Sequence, residues 1–79
     1  MNLVELGKKI KTLRKERGIT QQELAKKVGI SRTTLSHIEN GYFYKISVVT
    51  LEKLLSVLGY TLEIKPKNPF VKTSSTLNA

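Results

Sequence analysis

Apolar positions in this chain recur at helical spacing in four separate stretches. Leu3, Leu6, Ile10 and Leu13 form the first stripe, one face of a helix that Asn2 can cap and Gly18 ends. Lys8, Lys11 and Lys15 lie roughly opposite. A solvated face is the commoner meaning of that pattern, and phosphate contact is the other. Leu24, Ala25 and Val28 form the second apolar face. It opens on Thr20-Gln21-Gln22-Glu23, the T-x-x-E of a capping box, with Ile19 placed to staple onto Leu24. Gly29 ends it, because Gly adopts the left-handed conformation at little cost. A third helix starts at once: Ser31 is an N-cap, Ile30 can staple onto Leu35, and Leu35 and Ile38 face inward. Ser47 caps a fourth, in which Leu51, Leu54, Leu55 and Leu58 recur at i, i+3, i+4 and i+7 before Gly59 stops it. This last stripe is expected to close the core over the first three helices.

The period then changes. Tyr60, Leu62 and Ile64 alternate with Thr61, Glu63 and Lys65, and Pro66 follows, which is the pattern of a strand. One strand cannot satisfy its own backbone groups. A partner strand must come from another molecule, or the segment is no strand. From Asn68 to Ala79 the chain is polar, rich in Ser and Thr, and without period, so a flexible tail is expected. The expected division is a helical domain over 1–59, a dimerisation strand over 60–66 and a tail over 67–79. The fold class is mainly α: four to five helices and one C-terminal β-strand pairing across a dimer.

The third helix has a second face. At about 100° per residue, Thr33, Ser36, His37 and Asn40 fall opposite Leu35 and Ile38, with Arg32 flanking them near the helix start. That side carries hydrogen-bonding groups and almost no apolar bulk. Two short helices joined by a sharp Gly turn, the second polar at its outer N-terminal end, are what a helix-turn-helix requires. A helix pair that only packs a small core does not demand this succession of caps and polar outward positions.

Composition narrows the chemistry. Seventy-nine residues make one small domain. There is no Cys, so disulfides and thiolate metal sites are excluded, and a single His with no Asp makes a metal cluster hard to build. The chain has no phosphate-binding glycine loop and no Asp for a Ser/His/Asp set. We therefore expect no enzyme and no cofactor. The net charge is +8, and the pI is about 10.0. Residues 1–45 carry ten Lys/Arg against four Glu, a net of +6. That basic end coincides with the helix pair, which suits an anionic partner; Lys used for solubility is the bland alternative. No apolar run is long enough for a bilayer and no signal-peptide core opens the chain, so a cytoplasmic protein without membrane contact is expected.

The stretch from Thr20 to Gly41, TQQELAKKVGISRTTLSHIENG, resembles the core of the Xre/Cro family of helix-turn-helix proteins, which includes the lambdoid phage repressors. The likeness rests on T-Q-x-E-L-A, the turn Gly29 and the closing Ile38-Glu39-Asn40-Gly41. Extended outward, it covers Leu6 to about Leu58. It implies a lambda-repressor-like domain that reads double-stranded DNA through the major groove. Base contact then falls to Arg32, Thr33, Ser36 and His37, with Arg32 able to donate two parallel hydrogen bonds to guanine O6 and N7. His37 as an uninvolved exposed side chain is the other reading. Phosphate contact falls to Thr20, Gln21, Thr34, Asn40, Tyr42 and Lys45. The resemblance also implies that Gln21 braces the recognition helix. The loop from Gly41 to Ile46 departs from the basic loops of phage repressors, which leaves one or two of its aromatics free to cover the core.

The same resemblance implies a partly buried ion pair between Arg14 and Glu39, tying the recognition helix to the first helix; two solvated charges are the alternative. The segment Leu58-Gly59-Tyr60-Thr61-Leu62-Glu63-Ile64, directly after the helical domain, looks like HipB-like antitoxins of toxin–antitoxin operons. In that group the C-terminal strand pairs across a dimer, and the protein binds both operator DNA and a kinase-type toxin. The expected function is thus a repressor acting as a homodimer on a near-palindromic operator, with a HipA-like kinase toxin as partner and Tyr60, Leu62 and Ile64 at the dimer seam. The alternative is a free-standing Xre-type phage or chromosomal repressor.

Overall fold

Four polar caps punctuate the chain. Asn2, Thr20, Ser31 and Ser47 each accept a hydrogen bond from the backbone N–H three residues on. Each such cap contributes about 1 kcal/mol by satisfying a donor that the helix itself leaves orphaned. Glu5 and Glu23 return a bond to the N–H of Asn2 and Thr20, so the first two caps are full capping boxes. The computed structural model describes residues 2–67. In it the caps open α1 (Leu3–Glu16), α2 (Gln21–Val28), α3 (Arg32–Glu39) and α4 (Val48–Val57). There is no fifth helix among the described residues.

The turn between α2 and α3 depends on Gly29, which takes φ 86°. An L side chain there would pay the left-handed penalty. The turn closes when the N–H groups of Gly29 and Ile30 both donate to the Ala25 carbonyl, at 2.8 and 3.0 Å. With only Ile30 and Ser31 left before α3, the second helix has to leave at a sharp angle.

The core is a single apolar cluster. Ile10 and Leu13 of α1, Leu24, Ala25 and Val28 of α2, Leu35 and Ile38 of α3, and Leu54, Leu55 and Leu58 at α4 are all buried. Leu6, Ile19, Ile30, Phe43, Ile46, Leu51 and Val57 pack against its edge. α3 lies against both α1 and α2, while α4 seats chiefly on α2. Leu3 departs from the expected stripe: it is 54% exposed. It sits in the first turn of α1, on the wall of an open groove that it shares with His37 and the loop residues Gly41 to Tyr44.

The strand expectation needs correction for the single chain. α4 ends in a Schellman turn, in which Gly59 N–H donates to the Ser56 carbonyl and Tyr60 N–H to the Leu55 carbonyl. From Thr61 to Lys67 the chain then forms neither helix nor ladder, and the described residues contain no β-strand. The physical reason is that a lone segment has nothing to pair with. Tyr60, Leu62 and Ile64 are exposed, Ile64 completely. The expected tail lies, beyond Lys67, outside the described residues.

Candidate nucleic-acid interface

α3 presents two chemically distinct sides. Leu35, Ile38 and Glu39 are buried. Arg32, Thr33 and His37 are exposed, and Ser36 is half-buried. The candidate base readers therefore share the open side of one helix, held down by its apolar side. Hydrogen-bond donors and acceptors on an exposed helix of this width fit the major groove.

The remaining candidates surround that helix. Thr20 uses its side-chain oxygen to accept from Glu23 N–H at 3.0 Å, and its own N–H donates to the Glu23 carboxylate at 2.8 Å. The backbone bond from Thr20 is the main reason that the Glu23 carboxyl is held below its ordinary 4.5, with the Thr20 side chain adding to it. Thr34 is half-buried and its hydroxyl oxygen accepts from Ser31 Oγ at 2.8 Å. Asn40 caps the C-terminal end of α3 and donates from Nδ2 to the Ser36 carbonyl at 2.9 Å. Tyr42 is exposed, its ring edge-on to His37 with centroids 6.4 Å apart. Lys45 is exposed and stands at φ 60°, the one non-glycine residue at positive φ among those described. Of the three loop aromatics, Phe43 turns inward against the core, while Tyr42 and Tyr44 stay in solvent.

What holds α3 in place is partly ionic. Arg14 Nε donates to Glu39 Oε2 at 2.6 Å and Arg14 Nη2 to Glu39 Oε1 at 3.2 Å, a two-pronged pair with both side chains buried. A third donor, Arg14 Nη1, reaches the Ile19 carbonyl at 2.9 Å. Gln21 bridges outward from the same carboxylate: its Nε2 donates to Glu39 Oε1 at 2.9 Å, and its Oε1 accepts from Arg32 Nη1 at 3.1 Å. No buried side-chain polar atom among the described residues lacks a partner, which is the condition for a buried pair to be tolerated at all.

Gly7 is the positional residue that the apolar pattern passes over. It is buried in the middle of α1. A Cβ there would run into the Ile38 carbonyl and lie 2.9 Å from Gly41 N and 3.0 Å from the Glu39 carbonyl. α1 thus crosses the last turn of the recognition helix backbone to backbone. The available signal was glycine inside a helix, which costs about 1 kcal/mol against Ala and so calls for a packing reason.

Residues 10–65 match the profile of the Helix-turn-helix family. The chain belongs to this Xre-type family. Its members are DNA-binding transcriptional regulators and not enzymes. Among its relatives, the ImmF control region 10 kDa protein of Bacillus phage phi105 is 43% identical over 60 residues, 76% of this chain and 66% of that protein. The transcriptional regulator SinR of Bacillus subtilis is 42% identical over 67% of this chain and 48% of its own length. Antitoxin HipB of Escherichia coli O6:H1 is 37% identical over 76% of this chain and 63% of its own. The chain thus spans about half to two thirds of these relatives. A chain in the solved HipA–HipB–O2–O3 complex superposes with a TM-score of 0.72 at 31% identity, covering 86% of this chain and 94% of that one. DNA binding through the helix-turn-helix is therefore a property of this Xre-type regulator. No described helix is long and apolar enough to cross a membrane.

Proposed function

We propose that this regulator is a repressor that binds a near-palindromic operator as a homodimer, and that it is the antitoxin of a toxin–antitoxin operon with a HipA-like kinase toxin as its partner. The observation that carries this reading is the likeness to a chain of the HipA–HipB–O2–O3 complex over nearly the whole length of both. Base readout falls to Arg32, Thr33, Ser36 and His37, and phosphate contact to Thr20, Gln21, Thr34, Asn40, Tyr42 and Lys45. The exposed side of α3 and the surplus of Lys and Arg in residues 1–45 support the assignment. Tyr60, Leu62 and Ile64 form the dimer seam; their exposure and alternation, in a segment whose backbone lacks a ladder, support it.

A second reading has support of its own. The phage phi105 protein and SinR are relatives of comparable identity, and they favour a free-standing repressor. Two measurements decide between the two. Footprinting on the DNA upstream of the chain's own gene is expected to protect a near-palindrome. Co-expression with the product of the adjoining reading frame is expected to yield a stable complex of the two proteins. Protection without a complex, or an adjoining frame that encodes no toxin, makes the free-standing repressor correct.

A further inference from the structure

One unbroken chain of side-chain hydrogen bonds runs from the core to the exposed start of the recognition helix. It begins at Arg14, which is buried and donates through Nε and Nη2 to Glu39. An ionised carboxylate only accepts. Gln21, which approaches Glu39 Oε1 to 2.9 Å, must therefore turn its NH2 group inward. An amide has one oxygen and one nitrogen, so the inward NH2 forces the carbonyl oxygen outward. There it accepts from Arg32 Nη1 at 3.1 Å. The flipped amide would set oxygen against carboxylate and NH2 against guanidinium, losing both bonds at once.

We propose that the buried Arg14–Glu39 pair is a specificity determinant of the DNA interface: through Gln21 it selects a hydrogen-bond donor at position 32 and aims the Arg32 guanidinium before DNA arrives. This rests on the reading of Arg32 as a base contact. Arg14, Glu39 and Gln21 are positioning residues, since none of them needs to touch the base. A guanidinium has five N–H donors in a rigid fork. One is spent on Gln21, and those that remain are enough for the pair that guanine O6 and N7 accept. A free Arg side chain loses rotamer freedom when it is fixed on a base. The brace removes part of that loss in advance, and it does so only for the base pair that Arg32 reads. An acceptor such as Glu at position 32 would face the outward Gln21 oxygen and be repelled, so the core pair restricts which side chains can be held there.

The test is binding-site selection on the full chain. Gln21→Met keeps the length of the side chain, removes both bonds and leaves the Arg14–Glu39 contacts themselves in place. It is expected to lower discrimination at one base pair about three- to tenfold, the size of one or two modest hydrogen bonds, with preference elsewhere in the site unchanged and the melting temperature lowered by several degrees, since the buried Glu39 loses the Gln21 donor and keeps those of Arg14. In an Arg32→Met background the same Gln21→Met change is expected to do nothing further at that base pair. Glu39→Gln, which releases the amide polarity, is expected to relax the same position; since it also strips Arg14 of its charge partner, circular dichroism accompanies it, and Gln21→Met remains the deciding variant. A Gln21→Met protein with the parental profile, alongside an Arg32→Ala protein that loses preference, overturns the relay and leaves Arg32 as an unaided base reader. A uniform loss of affinity with no change of profile also overturns it, making Gln21 a phosphate contact alone. An Arg32→Ala protein with unchanged preference at every position removes the base-reader reading and the relay together.

Discussion

Gly7 shows how a single missing side chain positions the DNA-facing helix. α1 can approach the end of α3 only because nothing projects between Gly7 and the carbonyls of Ile38 and Glu39. Gly7→Ala gains helix propensity of about 1 kcal/mol but overpacks a backbone crossing, a fault that costs about 1–3 kcal/mol. The expected balance is a loss of up to about 2 kcal/mol in urea unfolding, with operator affinity falling as α3 is pushed off its seat. A neutral or stabilised Gly7→Ala protein would show that the crossing has slack. Glu23 gives a second test at this scale. Its folded pKa lies below 4.5 because Thr20 donates to the carboxylate. A depressed folded pKa means that the unfolded chain takes up the proton first. The contribution is therefore full above the ordinary value of 4.5 and is lost as pH falls through the lower folded value. Glu23→Gln is expected to melt below the parent at neutral pH and to approach it in acid, as followed by thermal melts across that window.

At the scale of elements, the four helices are set by their ends as much as by their faces. Every one has its side-chain cap, and α2 is joined to α3 through a glycine at positive φ. The loop from α3 to α4 is built differently. Gly41 takes φ 93°, with Val4 packed so closely that a Cβ would lie 3.0 Å from its Cα. Lys45 takes φ 60° without being glycine. An L residue in that region pays about 1–2 kcal/mol. Lys45→Gly is expected to raise stability by up to about 1 kcal/mol. It is also expected to shallow the salt dependence of DNA binding by about 0.9 log unit for each phosphate that is no longer neutralised, with base preference unchanged. A changed preference at constant slope would make Lys45 a base reader.

At the scale of the molecule, one helix-turn-helix covers half of a palindrome, so repression as proposed requires a second copy. In the proposed dimer, a two-fold axis across the segment from Tyr60 to Lys65 would pair the two copies antiparallel. It would also set the recognition helices about 34 Å apart, one DNA turn. Leu62→Pro removes a ladder donor and an apolar side chain together. It is expected to give a monomer in sedimentation and to lose most affinity for the full operator, while weak half-site binding persists. A Leu62→Pro protein that stays dimeric and still binds the palindrome would move the dimer seam elsewhere, with the exposed Val48 and Val49 of α4 as the next place to look.

Much of the fold was legible in the sequence because its signals are local. A cap speaks to an N–H three residues away, an apolar stripe repeats every turn, and a glycine at a helix end answers for one backbone angle. Thr20, Gly29, Ser31 and Ser47 do these jobs within a few residues of themselves, and the polar side of α3 follows from the same periodicity. Tertiary structure alone decided which faces meet. It left Leu3 in solvent, turned Phe43 inward and its neighbouring tyrosines outward, and laid Gly7 on the backbone of α3. The Arg14–Glu39 pair, 25 positions apart, was expected from the family resemblance alone, and the structure added its geometry and the link through Gln21 to Arg32. No period or spacing encodes such pairings, because they arise from how whole helices dock. For the alternating segment after Gly59, the fold of one chain supplies no ladder, and the proposed strand would need backbone groups from a second molecule.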